Sequence, residues 1–236
     1  MRDPAPPKPK VYQYIGAFIE QLHASGIEHA VIVPGSRSTP LVLALDRQDG
    51  IQTWLHLDER SAAYFALGLA RQLRAPVSVI TTSGTAAANL YPAMAEASLS
   101  RIPLIAITAD RPSELHDVGA NQTIEQNRMF GDHVRWSIEL PIADGSKLLE
   151  TYARRIAARA ATTAIGPPAG PVHINVPLRE PLIEFGWEDA LAASTTTTVS
   201  VSRSSNGADN KAATSLLTVT DKRNGLIVCG PANSNL

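Results

Sequence analysis

Four short segments of this 236-residue chain combine residue types that can bind anions or move protons. They are Pro34-Gly-Ser-Arg-Ser-Thr-Pro40, Asp58-Glu-Arg-Ser61, Thr81-Thr-Ser-Gly-Thr-Ala-Ala-Ala-Asn89, and Ala109-Asp-Arg-Pro112 running on to Gly119-Ala-Asn-Gln-Thr-Ile124. Arg37 and Arg111 each follow an apolar run beside turn residues. Each alone reads as a surface charge, but two guanidinium groups at strand ends beside glycine turns suit carboxylate or phosphate recognition. Glu59 is the carboxylate best placed for proton transfer. Alone, it reads as an acid favoured at a helix N-terminus or as the partner of Arg60. Gly35 and Gly84 suit tight strand-to-helix turns, and Ser61 and Ser83 suit helix caps. Gly-Ser-Arg-Ser lacks the Gly-Lys-Ser/Thr ending of a phosphate loop, and no G-x-G-x-x-G fingerprint is present. Ser83 does not sit in a G-x-S-x-G elbow, which disfavours a serine hydrolase. Histidines 23, 29, 56, 116, 133 and 173 show no ligand spacing, so no metal centre is expected on this chain.

The elements that must position these residues alternate from Val11 to about Pro181. Strand candidates are His29–Val33, Gln52–Leu57, Pro76–Thr81, Ile102–Thr108 and Val172–Val176, most of them apolar throughout. Such runs read as strands covered on both faces. Helix candidates lie near 11–25, 39–47, 59–74, 85–99 and 147–164. The pattern predicts an α/β fold, a parallel sheet with helices on both faces and right-handed crossovers. Ligands in such sheets sit beyond the carboxyl ends of the strands, where all four segments fall. Residues 1–10 read as a disordered proline-rich tail, 11–185 as one domain and 186–210 as a Ser/Thr-rich linker. Residues 211–236 hold a possible helix at 211–220 and an apolar strand at 225–230. They read as the start of a second, truncated α/β domain, since one helix and one strand bury too little.

Bulk properties exclude several classes. With 21 basic and 22 acidic residues, no global field attracts nucleic acid or an anionic membrane. The single cysteine, Cys229, precludes an internal disulfide and fits a reducing compartment. No apolar run approaches the roughly 18 residues of a membrane span, and the N-terminus lacks a signal-peptide core. A cytoplasmic location is expected.

Read in order, Pro-Gly-Ser-Arg-Ser-Thr-Pro, Asp-Glu-Arg-Ser-Ala-Ala-Tyr-Phe-Ala-Leu-Gly, Thr-Ser-Gly-Thr-Ala-Ala-Ala-Asn-Leu-Tyr-Pro-Ala and Thr-Ala-Asp-Arg-Pro-Ser-Glu-Leu carry a resemblance. Gly119-Ala-Asn-Gln-Thr-Ile124 and Gly170-Pro-Val-His-Ile-Asn-Val-Pro177 agree with it. The chain resembles thiamin-diphosphate (ThDP) enzymes, specifically the SEPHCHC synthase family of menaquinone biosynthesis, over residues 11–185. The resemblance implies a pyrimidine-binding domain, with Glu59 hydrogen-bonded to N1′ of the aminopyrimidine and Pro34 and Gly35 bringing backbone to that ring. It implies a transferase that decarboxylates 2-oxoglutarate and joins the remainder to isochorismate. Ser36, Arg37 and Arg111 would hold substrate carboxylates and oxygens, with Asn121 and Gln122 near the reacting centre. It also implies Mg²⁺ and a homo-oligomer, a dimer or tetramer. The Gly-Asp-Gly…Asn motif that holds Mg²⁺ and diphosphate is absent here, so this chain alone is expected to be inactive. An acetolactate-synthase-like ThDP enzyme and a non-catalytic association module are the alternatives.

Overall fold

The computed structural model describes residues 10–192 and 198–199. The expected tail at 1–9, the rest of the expected linker and the expected second domain lie outside the described residues. α1 (Lys10–Ala24) opens the chain, then β1 (His29–Ile32), α2 (Thr39–Asp46), β2 (Gln52–Leu55), α3 (Glu59–Leu73) and β3 (Val77–Thr81). There follow α4 (Thr85–Ala88), α5 (Tyr91–Leu99), β4 (Leu104–Asp110), β5 (Trp136–Glu139), α6 (Lys147–Ile165), β6 (Val172–Pro177) and α7 (Trp187–Ala192).

All six strands are parallel, in the order β2-β1-β3-β4-β6-β5. The α/β class read from the apolar runs is the fold observed. β3, β4 and β6 are buried along their whole length, which is why they carry apolar residues at successive positions. One face is covered by α1, α2, α6 and α7, where Tyr12, Ile15, Phe18, Ile19 and Leu22 repeat at helical spacing. The other is covered by α3 and α5, packing Ala62, Ala63, Ala66, Met94 and Ala97 on Val79, Leu104 and Ala106. The alanines on α3 let its backbone approach the sheet closely.

Local chemistry moved several boundaries. The expected helix at 85–99 is two helices, because Pro92 in the first turn of α5 has no N–H to give the preceding turn. β4 runs to Asp110, two residues past its expected end. β5 was not anticipated: it is a four-residue edge strand of half-buried Trp136, Ser137 and Ile138, with Glu139 exposed, and it lacks a continuous apolar run. Residues 186–210, read as linker, open on α7, whose Ala190 and Leu191 are buried against the α1 face.

Candidate active site

The chain leaves β1 toward β2 on one side and returns as β3 on the other. The loops after β1 and β3 therefore face one another at the carboxyl edge, at a topological switch point. They touch at Gly35, where an added Cβ would lie 2.4 Å from Cβ of Thr82. Gly35→Ala is expected to cost about 1–3 kcal/mol by overpacking. Pairing it with Thr82→Gly should restore part of the loss, read by urea denaturation of the single and double variants. Gly84 has two reasons to be glycine: its φ is +78°, and a Cβ would meet Gln122 Cγ at 2.7 Å.

Arg111, Gln122 and residues 83–84 form one hydrogen-bonded unit. Gln122 Nε2 donates to the Ser83 carbonyl at 3.0 Å, and its own carbonyl accepts from an Arg111 terminal nitrogen at 2.9 Å. The same nitrogen donates to Ser83 Oγ. Burial, then the nearby Arg37 cation, lowers the Arg111 pKa. Arg37 is held within the protein. It is 6% exposed; one terminal nitrogen donates to the Leu178 carbonyl at 2.8 Å and the other to Glu180 Oε1 at 2.9 Å. Arg37 thus ties the loop after β1 to the segment after β6.

The other residues singled out stay apart from that unit. Pro34 and Ser36 are exposed, and the Ser36 side chain makes no hydrogen bond among the described residues. Asn121 is exposed, with only its carbonyl engaged, by Thr123. Glu59 is the first residue of α3, at the end of β2, with β1 and β3 between that strand and β4. Asp58 caps the helix, accepting from Ser61 N at 2.8 Å, and that bond lowers the Asp58 pKa. Glu59 is half-buried and has no hydrogen bond or ion pair with any described residue; no Arg60 pair forms. The acid preferred at this helix end is therefore Asp58, which leaves the Glu59 carboxylate unengaged.

Beneath the loops runs a buried polar network that the motif reading missed. Gln126 is fully buried; its Oε1 accepts from Gly84 N at 2.7 Å, and its Nε2 donates to Ala109 O and Asn175 Oδ1. Asn175 Nδ2 bridges two carboxylates, Asp110 at 2.8 Å and Glu139 at 2.9 Å, while Thr108 Oγ1 donates to Asn175 Oδ1. Because that hydroxyl proton is committed, His173 Nε2–H must donate to Thr108, and Ser137 donates to Nδ1. A signal was present in the sequence: Thr108 and Asp110 in β4, and His173 and Asn175 in β6, are polar residues two apart within apolar strands. Beside the network a cavity of about 290 Å³ is lined by Arg111, His116, Glu125, Asn127, Glu139 and Pro177. Among the described residues no group of three His, Cys, Asp or Glu could hold a metal ion.

Burial pushes the His173 imidazole down to about 3. The unfolded chain takes up this proton near pH 6.5 and the folded chain does not, so stability falls as pH drops from 6.5 toward 3, by up to ~1.4 kcal/mol per unit. Burial raises Asp110 from 3.8, which contributes the opposite slope as pH rises above that value. His173→Gln is expected to flatten the loss of urea midpoint as pH falls from about 6.5 to about 4.5. An unchanged pH profile would exclude His173 as its source.

Residues 14–129 match the family described as thiamine pyrophosphate enzyme, N-terminal TPP binding domain. The chain is also 48% identical, over 92% of its length, to a 2-succinyl-5-enolpyruvyl-6-hydroxy-3-cyclohexene-1-carboxylate (SEPHCHC) synthase of Geobacillus thermodenitrificans. It belongs to the thiamine pyrophosphate enzymes. Synthases of the same name from Chloroflexus aurantiacus and Haloquadratum walsbyi are 47% identical over 92% of the chain and 54% identical over 70%. The chain spans 38%, 37% and 27% of these three relatives' lengths. Within this TPP-enzyme chain, Glu59, Arg37, Arg111 and Gln122 fall inside the matched segment, whereas Asn175, Leu178 and Glu180 fall beyond it. No described helix is long and apolar enough to cross a membrane.

Proposed function

We propose that this chain is the pyrimidine-binding part of a ThDP-dependent transferase of menaquinone biosynthesis, a carboligase that decarboxylates 2-oxoglutarate and adds the remaining unit to isochorismate to give SEPHCHC. The observation that carries the reading is Glu59: a carboxylate at a helix N-terminus with the cap already supplied by Asp58 and no partner among the described residues. Bound thiamin diphosphate supplies the carbanion chemistry at its thiazolium carbon.

The residues of this chain bind and orient. Glu59 would share a proton with N1′ of the aminopyrimidine. Pro34 and Gly35 offer backbone instead of side chain, as the closeness of Gly35 to Thr82 requires. Arg111, held by Ser83 and Gln122, keeps its remaining guanidinium N–H groups for a substrate carboxylate. Arg37 is its neighbour in charge, Ser36 adds a hydroxyl, and Asn121 and Gln122 border the reacting centre. Mg²⁺ and the diphosphate would be held by sequence other than this chain's. Leu55 and Leu57 stay exposed beside the β2 edge, at 70% and 85%, and a second copy in a cytoplasmic homo-oligomer would cover them.

The test is a graft. Residues 11–185 replace the corresponding segment of the Geobacillus thermodenitrificans relative, and SEPHCHC formation is followed with ThDP, Mg²⁺, 2-oxoglutarate and isochorismate. The graft is expected to turn over and the 236-residue chain alone is not. A folded graft that binds ThDP yet makes no product would refute the assignment.

A further inference from the structure

The two arginines at the carboxyl edge are not equivalent. Arg37 is sunk into the protein and fixed by the Leu178 carbonyl, so its position does not depend on a charged partner. Its second contact, Glu180, is 70% exposed and touches it through a single oxygen at 2.9 Å. Arg37 Nε is buried and has no partner among the described residues, so the guanidinium that Glu180 approaches is under-satisfied. Arg111 stands near enough for burial and then the Arg37 cation to lower its pKa, and Glu180 is among the anions that offset this. A buried cation, a second cation beside it and one exposed carboxylate make an anion site whose occupant already belongs to the chain.

We infer that the Glu180 carboxylate stands in for a ligand carboxylate on Arg37 and thereby sets the affinity of this site for small dicarboxylates. The inference rests on the reading of Arg37 and Arg111 as carboxylate-binding residues. A ligand carboxylate takes the Glu180 position, so charge on Arg37 stays neutralised throughout and no buried cation is left alone. The second ligand carboxylate meets the free N–H groups of Arg111. Binding is an exchange, weakened by whatever the Arg37–Glu180 contact contributes. Glu180 moves without unfolding anything, because Arg37 keeps its backbone tie to Leu178.

The experiment titrates 2-oxoglutarate into the 236-residue chain and follows backbone amide shifts by NMR. Glu180→Gln is expected to lower Kd about fivefold, the upper worth of an exposed ion pair. An unchanged or raised Kd, with the variant folded by thermal melting, overturns the stand-in. Glu184→Gln removes an equal charge four residues on and is expected to leave Kd alone; equal tightening there would reduce the effect to net charge and also overturn it. Arg111→Ala separates the two levels. If it weakens binding while Glu180→Gln does nothing, only the stand-in fails; if it changes nothing, the carboxylate reading of the arginines fails. Absence of saturable binding in all four proteins overturns both.

Discussion

Glu59→Gln, placed in the grafted enzyme, is expected to lower turnover by roughly 10²–10⁴-fold, the range for losing a positioned general acid–base group. The amide is nearly the same shape as the acid, and Asp58 still caps α3, so the melting temperature should move little. ThDP affinity should change less than turnover, since the proposed function places the diphosphate anchor outside this chain. That split between kcat and cofactor affinity is the discriminating readout. If Glu59 were only a helix-end charge, the exchange would cost a few tenths of a kcal/mol in stability and leave turnover intact. Steady-state kinetics with a ThDP titration checks both arms.

The second large effect belongs to Asn175. Its side chain donates to buried Asp110 and to the more exposed Glu139, and accepts from buried Thr108 and Gln126. Asn175→Ala is expected to cost about 3–5 kcal/mol, because Asp110 and Gln126, both fully buried, each lose a partner. Asn175→Asp should fare no better, since it sets a third carboxylate between two others. Urea denaturation of the isolated chain measures both, and a loss under about 1 kcal/mol would mean that water replaces the amide. Gly84 is held by Gln126, so the 82–84 loop should loosen as well, seen as faster amide exchange there.

The fold was legible wherever burial was complete. β1, β3, β4 and β6 announced themselves as apolar runs because helices cover both faces. β5 did not, since an edge strand half open to water has no such run. The break between α4 and α5 was readable at Pro92 and was passed over. The candidate site was legible as motifs and much less so as geometry. Gly84 meets Gln122 across two loops, and Arg37 is bonded to Leu178 and Glu180, more than 140 residues away. No local pattern reports a partner at that separation. Gln126 sits between polar Glu125 and Asn127 in an irregular segment, and only the structure distinguishes it from those exposed neighbours.

The polar stripe across β4 and β6 has a consequence for how the chain finds its alignment. In a strand sealed on both faces, apolar side chains are interchangeable, and a shift of one or two positions against a neighbour buries almost the same surface. Val172, Ile174 and Val176 would accept such a shift against Ile105, Ile107 and Ala109 with little penalty. His173 and Asn175 would not, because each matches Thr108, Ser137, Asp110 or Glu139 in one alignment alone. The buried polar residues act as a key among otherwise uniform teeth, admitting one pairing and rejecting its near copies.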